Sequence, residues 1–345
     1  MLPEEESTIE SIRKRPRMYV GNAGFFGFIQ YLVDPVSLLL GGRPSRLTVS
    51  VGEGEFVVEA DVALRIVATS AGKLAPFEEC GEETGGLGFD GIVLNALSER
   101  LEVEIREGER VETLSFRRGV RESHRVGTGP KEGPRTTLRF APDHSVLGVA
   151  SLSPTVFESY LRRLSFLHRG VRFSLEIGGE RRDYLAEGGI VDLFDSVAAP
   201  YQLLHEPIRI AGEDGPLRLE LIFAHQSWTG NALWCFINKG RAVEGGTHEA
   251  GLDDALNQLH REWRPPDPPD RAGRDRNGVV GVLSLGYPGV VLEGCLKAWV
   301  SNPELRGMVR ELVLRLAREW IRDRPEVADQ IRVMQRFDFP EIWST

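Results

Sequence analysis

The stretch that decides the fold covers residues 236–256 and reads FINKGRAVEGGTHEAGLDDAL. It has the pattern of a short apolar strand, a charged turn, a Gly-Gly hinge and an amphipathic helix. Thr247 is the expected N-cap of this helix, because its hydroxyl can accept a hydrogen bond from an unpaired amide of the first turn. The two glycines before it suit a sharp bend, since glycine adopts backbone angles that other residues avoid. The stretch therefore predicts a strand-to-helix corner.

The composition around this corner is that of a folded protein with two domains. A chain of 345 residues exceeds one ordinary core, and 41% hydrophobic with 27% charged residues argues against general disorder. The formal net charge of −9 argues against a surface broadly built to bind DNA. The acidic start lacks the apolar segment of a signal peptide, and the apolar run at 36–40 is too short to span a bilayer. We expect no membrane partner.

The three cysteines are isolated from one another at Cys80, Cys235 and Cys295. No CxxC pair is present, so the sequence predicts no zinc site of that type. Lone thiols fit a reducing compartment, and we expect a cytoplasmic protein.

Hydrophobic periodicity predicts helices at 24–42, 91–101 and 157–167, with two more beginning at Thr247 and Pro303. Alternating apolar residues predict strands, which include 47–51, 56–58, 101–105, 112–117, 136–140, 172–177, 217–224, 232–238, 279–285 and 290–293. We expect strands 101–105 and 112–117 to form a hairpin across Glu107-Gly108.

A change of domain is expected near residues 196–207, which assigns 1–200 to the first domain and 201–345 to the second. Residues 70–91 are small, acidic and rich in glycine, and are expected to form a mobile loop. Residues 264–277 are rich in proline and charge, and are expected to be disordered.

Five segments resemble, in chain order, segments of the ATPase region of DNA gyrase B and its topoisomerase IV relative. They are RKRPRMYVG, GGLGFDGIVLNALSERLEVEI, LRRLSFLHRGVRFSL, GGTHEAG and NGVVGVLSLGYPGVVLEGCLKAWVSN. The resemblance implies an α+β protein. A GHKL-type α/β sandwich, the ATPase-like domain, would be followed by a ribosomal S5-like transducer domain with a left-handed βαβ crossover.

The family's catalytic helix supplies a glutamate as general base and, four residues later, an asparagine that holds magnesium. Alignment on the glycines that end the helix places Gln30 and Asp34 there, whereas alignment on the letters LVDP places Tyr31 and Pro35 there. Neither alignment provides a glutamate. Loss of the general base alone should cost about 10²- to 10⁴-fold in rate. Asp34 is the one candidate for a metal ligand.

The family recognises adenine through an aspartate that follows a strand. Its place falls on Ala60, or on Asp61 if the register shifts by one residue. Thr136 is a further nucleotide-site position that the resemblance implies. The glycines that let the backbone approach the base are absent, and we expect Val62 and Leu64 to fill that space.

A glycine-rich loop at a helix start can hold phosphate groups through its backbone amides. The resemblance assigns this role to a loop that lacks the family's histidine and is one residue short. Asp90 adds a carboxylate near the anion, a repulsion of about 3 kcal/mol at about 5 Å and an effective dielectric of about 20. The glycines concerned are Gly85, Gly86, Gly88 and Gly91.

Of the family's Gln-Thr-Lys loop, which contacts the γ-phosphate, only Lys297 is present. The sequence thus indicates a gyrase B-like pseudo-ATPase with no cofactor, acting as a binding or regulatory module. The alternative is an active subunit of a divergent type II topoisomerase, which would use ATP and magnesium. In either case the expected partner is another chain, such as a topoisomerase subunit, or a second copy of this one.

Two basic groups of residues have alternative interpretations. Residues 13–17 form either a phosphate-binding patch or a solvated corner whose aliphatic stems pack. On the last long helix, four arginines are either DNA contacts or a solvated face balanced by Glu304, Glu311 and Glu319; they are Arg306, Arg310, Arg315 and Arg318.

Overall fold

The computed structural model describes residues 4–20, 25–64, 66–68, 74–76, 91–148, 154–227, 230–242, 244–263, 278–293 and 299–334. The predicted disordered segment 264–277 and most of the predicted loop at 70–91 lie outside these ranges. The chain forms two compact units that divide between Gly189 and Ile190. This division precedes the boundary expected after residue 200, because helix α7 (Ile190–Ala198) packs on strands of the second unit.

The first unit contains a six-stranded sheet in the order β5-β6-β2-β1-β7-β8. Strands β1 and β7 are parallel, and the other neighbouring pairs are antiparallel. A separate antiparallel pair is formed by β3 (Ile66–Ala68) and β4 (Leu74–Pro76). The sheet strands are β1 (Arg46–Val51), β2 (Phe56–Ala60), β5 (Ser98–Arg117), β6 (Val120–Pro142), β7 (Arg172–Ile177) and β8 (Glu180–Tyr184).

Helices α3 and α6 pack on this sheet and complete an α/β sandwich. Apolar residues alternate along the central strands, so Leu47 and Val49 of β1 point into the core with Val58 of β2. The helices of this unit are α1 (Glu4–Lys14), α2 (Arg17–Val20), α3 (Phe25–Gly41), α4 (Ile92–Leu97), α5 (His144–Leu147) and α6 (Pro154–Leu167).

Strands β5 and β6 form one long ribbon, so the predicted hairpin across Glu107-Gly108 is wrong. Gly108 has a φ of 64° but stays within β5, at an irregularity opposite Glu132. The chain reverses instead at Arg118 and Gly119, which have φ values of 49° and 89°, as a two-residue hairpin turn requires. The predicted helix at 91–101 is also too long, because Ser98 is already extended and begins β5.

The second unit is built on a four-stranded sheet in the order β11-β13-β10-β9. Strands β11 and β13 are parallel and joined through helix α8, so the expected βαβ crossover is present. Helices α8 and α9 pack on one another, and α9 also packs on β9 and β10. The elements are β9 (Ile208–Asp214), β10 (Leu217–His225), β11 (Ala232–Ile237), β12 (Gly245–Gly246), α8 (Thr247–Trp263), β13 (Val279–Gly286), β14 (Leu292–Glu293), β15 (Trp299–Val300), α9 (Pro303–Arg322) and α10 (Pro325–Met334).

The strand-to-helix corner predicted at residues 236–256 is present between β11 and α8. Gly246 must be glycine, because a Cβ there would lie 2.4 Å from the carbonyl oxygen of Val300. The expected capping role of Thr247 is wrong: its Oγ1 is buried and makes no hydrogen bond among the residues that the structure describes. The corner is therefore fixed by close backbone packing rather than by a side-chain cap.

Within the described ranges, no helix is both long enough and apolar enough to cross a membrane.

Candidate functional site

The expected adenine position lies at the end of β2, where Ala60 is 2% exposed and pairs with Thr136 of β6. The next residue, Asp61, turns away to the start of β1. Its carboxylate accepts hydrogen bonds from the amides of Ser45 at 2.8 Å and Arg46 at 2.9 Å, and from the Ser45 hydroxyl. Partial burial acts to raise the pKa of Asp61, but these hydrogen bonds hold it below its usual range. The Asp61 carboxylate is thus already occupied by local structure.

The hydroxyl of Thr136 is fully buried and has two partners. It donates to the carbonyl oxygen of Val62 at 2.7 Å and accepts from the amide of Leu64 at 3.0 Å. A hydroxyl has one proton to donate, and Thr136 donates it to the segment that follows β2. In this arrangement the threonine holds the protein's own backbone where the family resemblance implies a nucleotide.

The side chains of Val62 and Leu64, which we call the apolar plug, close the same region. Leu64 is 7% exposed, and Val62 packs against the core of the first unit. Both lean on the end of α3, where a Cβ added to Gly42 would be 2.9 Å from Val62 Cγ2 and 3.0 Å from Leu64 Cδ2. Both side chains are thus packed, and the expectation that they fill the space of a nucleotide base stays a prediction.

Helix α3 places Tyr31 in the core. Its ring is fully buried and lies edge-on to Phe140, with the centroids 5.4 Å apart. The Tyr31 hydroxyl is 2.6 Å from Oγ of Ser98, and that serine donates to the carbonyl of Leu94, so Tyr31 is the donor. Burial raises the pKa of Tyr31 far above its usual value. Tyr31 therefore packs and cannot act as a general base.

Asp34, on the same helix, is half-buried and faces α6. Burial raises the pKa of Tyr160 on α6; Arg163 opposes this, and the negative charge of Asp34 adds to it. The side chain of Gln30 lies outside the described residues. Asp34 thus has a protein neighbour, and its role as a metal ligand stays a prediction.

Of the glycine-rich loop, the structure describes only Gly91, which stands at the start of the six-residue helix α4 without a capping side chain. Three of its glycines and the predicted γ-phosphate residue lie outside the described residues; they are Gly85, Gly86, Gly88 and Lys297. Their assignments stay predictions. Among the described residues no group of three or more His, Cys, Asp or Glu side chains could hold a metal ion.

The arginines of α9 bind protein groups, most of them on α8. Arg306 donates to both carboxylate oxygens of Asp254, at 2.7 and 3.1 Å. Arg318 does the same with Glu262, at 2.9 and 2.6 Å. We call these two pairs the α8–α9 ladder. The acidic residues expected to balance the arginines, on α9 itself, are therefore not the main partners.

The other two arginines of this helix are also engaged. Arg310 donates to Gln258 at 2.8 Å and to Glu311 at 2.9 Å. Arg315 donates to the carbonyl of Glu213 at 3.2 Å. All four guanidinium groups thus have protein partners, and their role as DNA contacts stays a prediction.

Sequence reasoning missed a partly buried ion pair that ties helix α1 to α4 and to the residue that follows β6. Arg13 donates to Asp143 at 2.6 Å and to the carbonyl of Ala96 at 2.7 Å. The Asp143 side chain is 3% exposed and also accepts from the amide and hydroxyl of Ser145. Of the basic residues at 13–17, Arg13 is thus committed to structure. The sequence signal for this ion pair was Asp143, an acidic residue between the end of β6 and the start of the short helix α5.

Comparisons with known proteins agree with the fold. Residues 189–336 match the DNA gyrase B family. DNA gyrase B of Haloferax volcanii is 28% identical over 359 aligned residues, covering 94% of this chain and 56% of the relative. The B subunit of DNA topoisomerase 4 from a Staphylococcus epidermidis strain is 26% identical over 341, covering 88% and 51%. The chain spans about half the length of the curated relatives it matches.

Solved structures show the same architecture. The 43K ATPase domain of Thermus thermophilus gyrase B, in complex with an aminocoumarin, superimposes with a TM-score of 0.74 at 25% identity and covers 95% of this chain and 93% of its own. The B-subunit of the DNA gyrase from Myxococcus xanthus gives a TM-score of 0.75 at 22% identity, covering 94% and 99%. The α/β sandwich and the transducer-type second unit are thus the fold of gyrase B ATPase regions.

Proposed function

We propose that this homologue of the DNA gyrase B ATPase region is a pseudo-ATPase, a non-hydrolysing binding or regulatory module linked to DNA topology. The observation that carries the proposal is the buried Thr136 hydroxyl, which donates to Val62 and accepts from Leu64. A nucleotide base would have to displace this segment and the apolar plug to reach it. Buried polar groups that lose their partners cost about 1–3 kcal/mol each, which opposes such displacement.

Two further features of the same site support the proposal. Ala60 offers no carboxylate to an adenine amino group, and the carboxylate of Asp61 is held by Ser45 and Arg46. On α3, the alignment that selects Tyr31 gives a buried phenol, and the alignment that selects Gln30 gives an amide. Neither group can take a proton from water at neutral pH.

Calorimetric titration with ATP–magnesium and with a non-hydrolysable ATP analogue tests the proposal. We expect no heat of binding from either ligand and no phosphate release above background. A magnesium-dependent ATPase rate that disappears in Gln30→Ala or Asp34→Ala would overturn the proposal. The variant Asp192→Ala, on α7 of the second unit, is the control for loss of a carboxylate elsewhere.

The second candidate is an active ATP-binding subunit of a divergent type II topoisomerase. It is favoured by the similarity to the B subunits of gyrase and topoisomerase 4 over most of this chain. This candidate requires another chain to supply the DNA-cleaving activity, and it requires ATP and magnesium. It predicts micromolar ATP binding, which the same titration would detect, and closure of two copies with the analogue, which light scattering would detect.

In both cases the proposed partner is a protein, either a topoisomerase subunit or a second copy of this chain. We place the protein in the cytoplasm because its cysteines are isolated. Cys235, which the structure describes, is a buried free thiol whose pKa is raised by burial.

A further inference from the structure

Three histidines of the second unit, His205, His225 and His260, form a continuous line of ring contacts that we call the histidine chain. Nε2 of His205 lies 2.7 Å from Nδ1 of His225, and Nε2 of His225 lies 2.6 Å from Nε2 of His260. His205 is 6% exposed, His225 is 1% exposed, and His260 is half-buried at the solvent end. The three rings come from the segment before β9, the end of β10 and the last turn of α8.

The partner at the buried end determines where every proton lies. Nδ1 of His205 is 2.7 Å from the carbonyl oxygen of Glu206, which can only accept, so Nδ1 carries a proton. In the neutral ring Nε2 is then an acceptor, and it receives Nδ1–H and the backbone amide of His225. Nε2 of His225 must in turn accept from Nε2–H of His260. In the neutral state, hydrogen bonds are therefore donated in one direction only, from His260 to His225, from His225 to His205 and from His205 to the carbonyl of Glu206.

The contacts are those of hydrogen bonds and not of a shared metal. Two imidazoles on one tetrahedral zinc, each at about 2.0–2.1 Å, have their nitrogens about 3.3 Å apart, which is longer than either contact here. His225 also uses its two nitrogens, which point in different directions, for two different partners. One metal ion cannot bind all three rings in this arrangement.

The surroundings oppose a positive charge on the two buried rings. Burial lowers the pKa of His225 well below its ordinary value, and the nearby rings of His260 and His205 lower it further. Burial also lowers the pKa of His205, although the carbonyl of Glu206 acts in the opposite direction. Two charged residues on α8 come directly after His260 in the sequence. They are Arg261 and Glu262, and Glu262 is paired with Arg318 of α9.

We propose that the histidine chain is a proton-sensitive latch, which holds residues 199–207 and the last turn of α8 against the end of β10 while its rings are neutral. The same segment is joined to β10 and the residues after it by two backbone bonds, from the Leu204 amide to the His225 carbonyl at 2.9 Å and from the Ser227 amide to the Gln202 carbonyl at 3.2 Å. A proton added to Nε2 of His205 would be set against the backbone amide of His225, which can only donate. A proton added to Nε2 of His225 would place a positive charge on a ring that is 1% exposed. Opening of the latch therefore takes up two protons.

Hydrogen exchange of the 345-residue chain, followed by mass spectrometry, measures this opening. With two rings that titrate near 6.5 only when open, the opening constant should rise about a hundredfold between pH 7.5 and 5.5, after correction for intrinsic exchange. The rise should be confined to peptides that cover residues 199–207 and the end of α8. An unchanged opening constant over this pH range would overturn the proposal.

Two variants make the assignment specific. His225→Phe keeps an aromatic ring at the centre of the histidine chain. His205 is then the one buried ring that takes up a proton on opening, so the opening constant should rise only about tenfold between pH 7.5 and 5.5. His144→Gln removes an exposed histidine of the first unit and should keep the rise of about a hundredfold. Equal responses of the two variants would contradict the latch.

Nitrogen NMR of histidine side chains in the unmodified protein tests the proton positions without any substitution. At pH 7.5 we expect the Nδ1–H form for His205 and His225 and the Nε2–H form for His260. A charged ring or the Nε2–H form at His225 would exclude the directional chain.

Discussion

Arg118 at the tip of the β5–β6 ribbon donates its Nε–H to Glu99 at the base of the same ribbon, at 2.7 Å. The two residues are 19 positions apart, which would separate them by about 60 Å along a straight strand. The ribbon therefore curls until its tip meets its base. The curl brings the turn at Gly119 against Ile9 of α1 and lets Asn95 of α4 donate to the Gly119 carbonyl at 3.1 Å.

The first prediction concerns this closed ribbon. Gly119→Ala should lower the free energy of unfolding by about 2–4 kcal/mol, through strain at positive φ and overpacking. The added Cβ would lie 2.5 Å from Cγ2 of Ile9. Urea denaturation measures the loss. Gly108→Ala is the matched control, because its φ is also positive but nothing lies within 4 Å of its Cβ.

That control should cost about 1 kcal/mol, which is the backbone term alone. Adding Ile9→Ala to Gly119→Ala should recover the overpacking part. If the two glycine variants are equally stable, the tip does not press on α1.

The second prediction concerns Asp61. Asp61→Ala should destabilise the protein by about 1 kcal/mol, because the amides of Ser45 and Arg46 lose their acceptor. The pKa of Asp61 is lowered in the folded state, so its contribution is present above the unfolded value of about 3.9 and is lost as the pH falls below it. Unfolding at pH 7 and pH 3 measures both effects.

Asp61→Asn keeps one acceptor oxygen and should lie between the wild type and the alanine variant. Neither variant should change the response to ATP. A change in nucleotide binding with unchanged stability would assign Asp61 to a ligand instead.

The third prediction concerns the apolar plug. Replacing Val62 and Leu64 by glycine, together with Ala60→Asp, should allow ATP–magnesium to bind with measurable heat, because it opens the space and supplies the missing carboxylate. Hydrolysis should stay absent, since no general base is added. Ala60→Asp alone, with the plug in place, is the control and should give no heat. Binding by the control as strong as by the triple variant would show that the plug excludes nothing.

The fourth prediction concerns His248 on α8, which is fully buried. Neither ring nitrogen has a hydrogen-bond partner among the described residues, and Nε2 lies 4.0 Å from a carboxylate oxygen of Glu249. Burial lowers its pKa to about 4. An ordinary unfolded value near 6.5 means that stability is unaffected above that pH and falls by about 3 kcal/mol as the pH decreases to about 4. His248→Leu should remove this loss, as acid-dependent urea unfolding would show.

At pH 8 the leucine variant should be at least as stable as the wild type, because no hydrogen bond is removed. His144→Gln, which changes an exposed histidine, should keep the wild-type acid dependence. A leucine variant several kcal/mol less stable at pH 8 would contradict this explanation.

The fifth prediction concerns the α8–α9 ladder. Arg306→Gln with Arg318→Gln should leave affinity for a labelled DNA duplex unchanged, because both guanidinium groups are already paired with carboxylates. Asp254→Asn with Glu262→Gln is the matched control, since it frees the same two arginines and should increase the affinity. Fluorescence anisotropy at several salt concentrations measures both. A weaker affinity of the arginine variant, with a salt slope reduced by about 2, would identify the arginines as phosphate contacts.

The overall fold was predictable because its segments follow the order of the similar segments in the gyrase B ATPase region, and because the pair Gly245-Gly246, both at positive φ, marks the corner before α8. The ribbon was not, since Gly108 and Gly119 give similar local signals. Gly108 lies within a strand, and Gly119 lies in the turn. Only the pairing of the distant β6 residues distinguishes an irregular strand from a hairpin turn.

That the candidate site is degenerate stays a prediction. The residue identities behind it are visible in the sequence, since neither alignment on α3 gives a glutamate and Ala60 or Asp61 stands at the expected adenine position. The use of Asp61 is not, because its partner Ser45 lies 16 positions earlier. The histidine chain is hidden for the same reason: His225 meets His205 across 20 positions and His260 across 35. Contacts of this range follow from tertiary structure, which local patterns do not encode.

The parallel pairing of β1 with β7 has a consequence for biosynthesis. Arg46 of β1 is paired with Arg172 of β7, so a strand in the middle of the finished sheet waits for a partner that is translated more than a hundred residues later. Until then β1 is an open edge, with free amides and carbonyls on one side. Such late, distant pairing makes folding slow and exposes the nascent chain to association with its neighbours. We therefore expect the emerging first unit to depend on chaperones until β7 has left the ribosome.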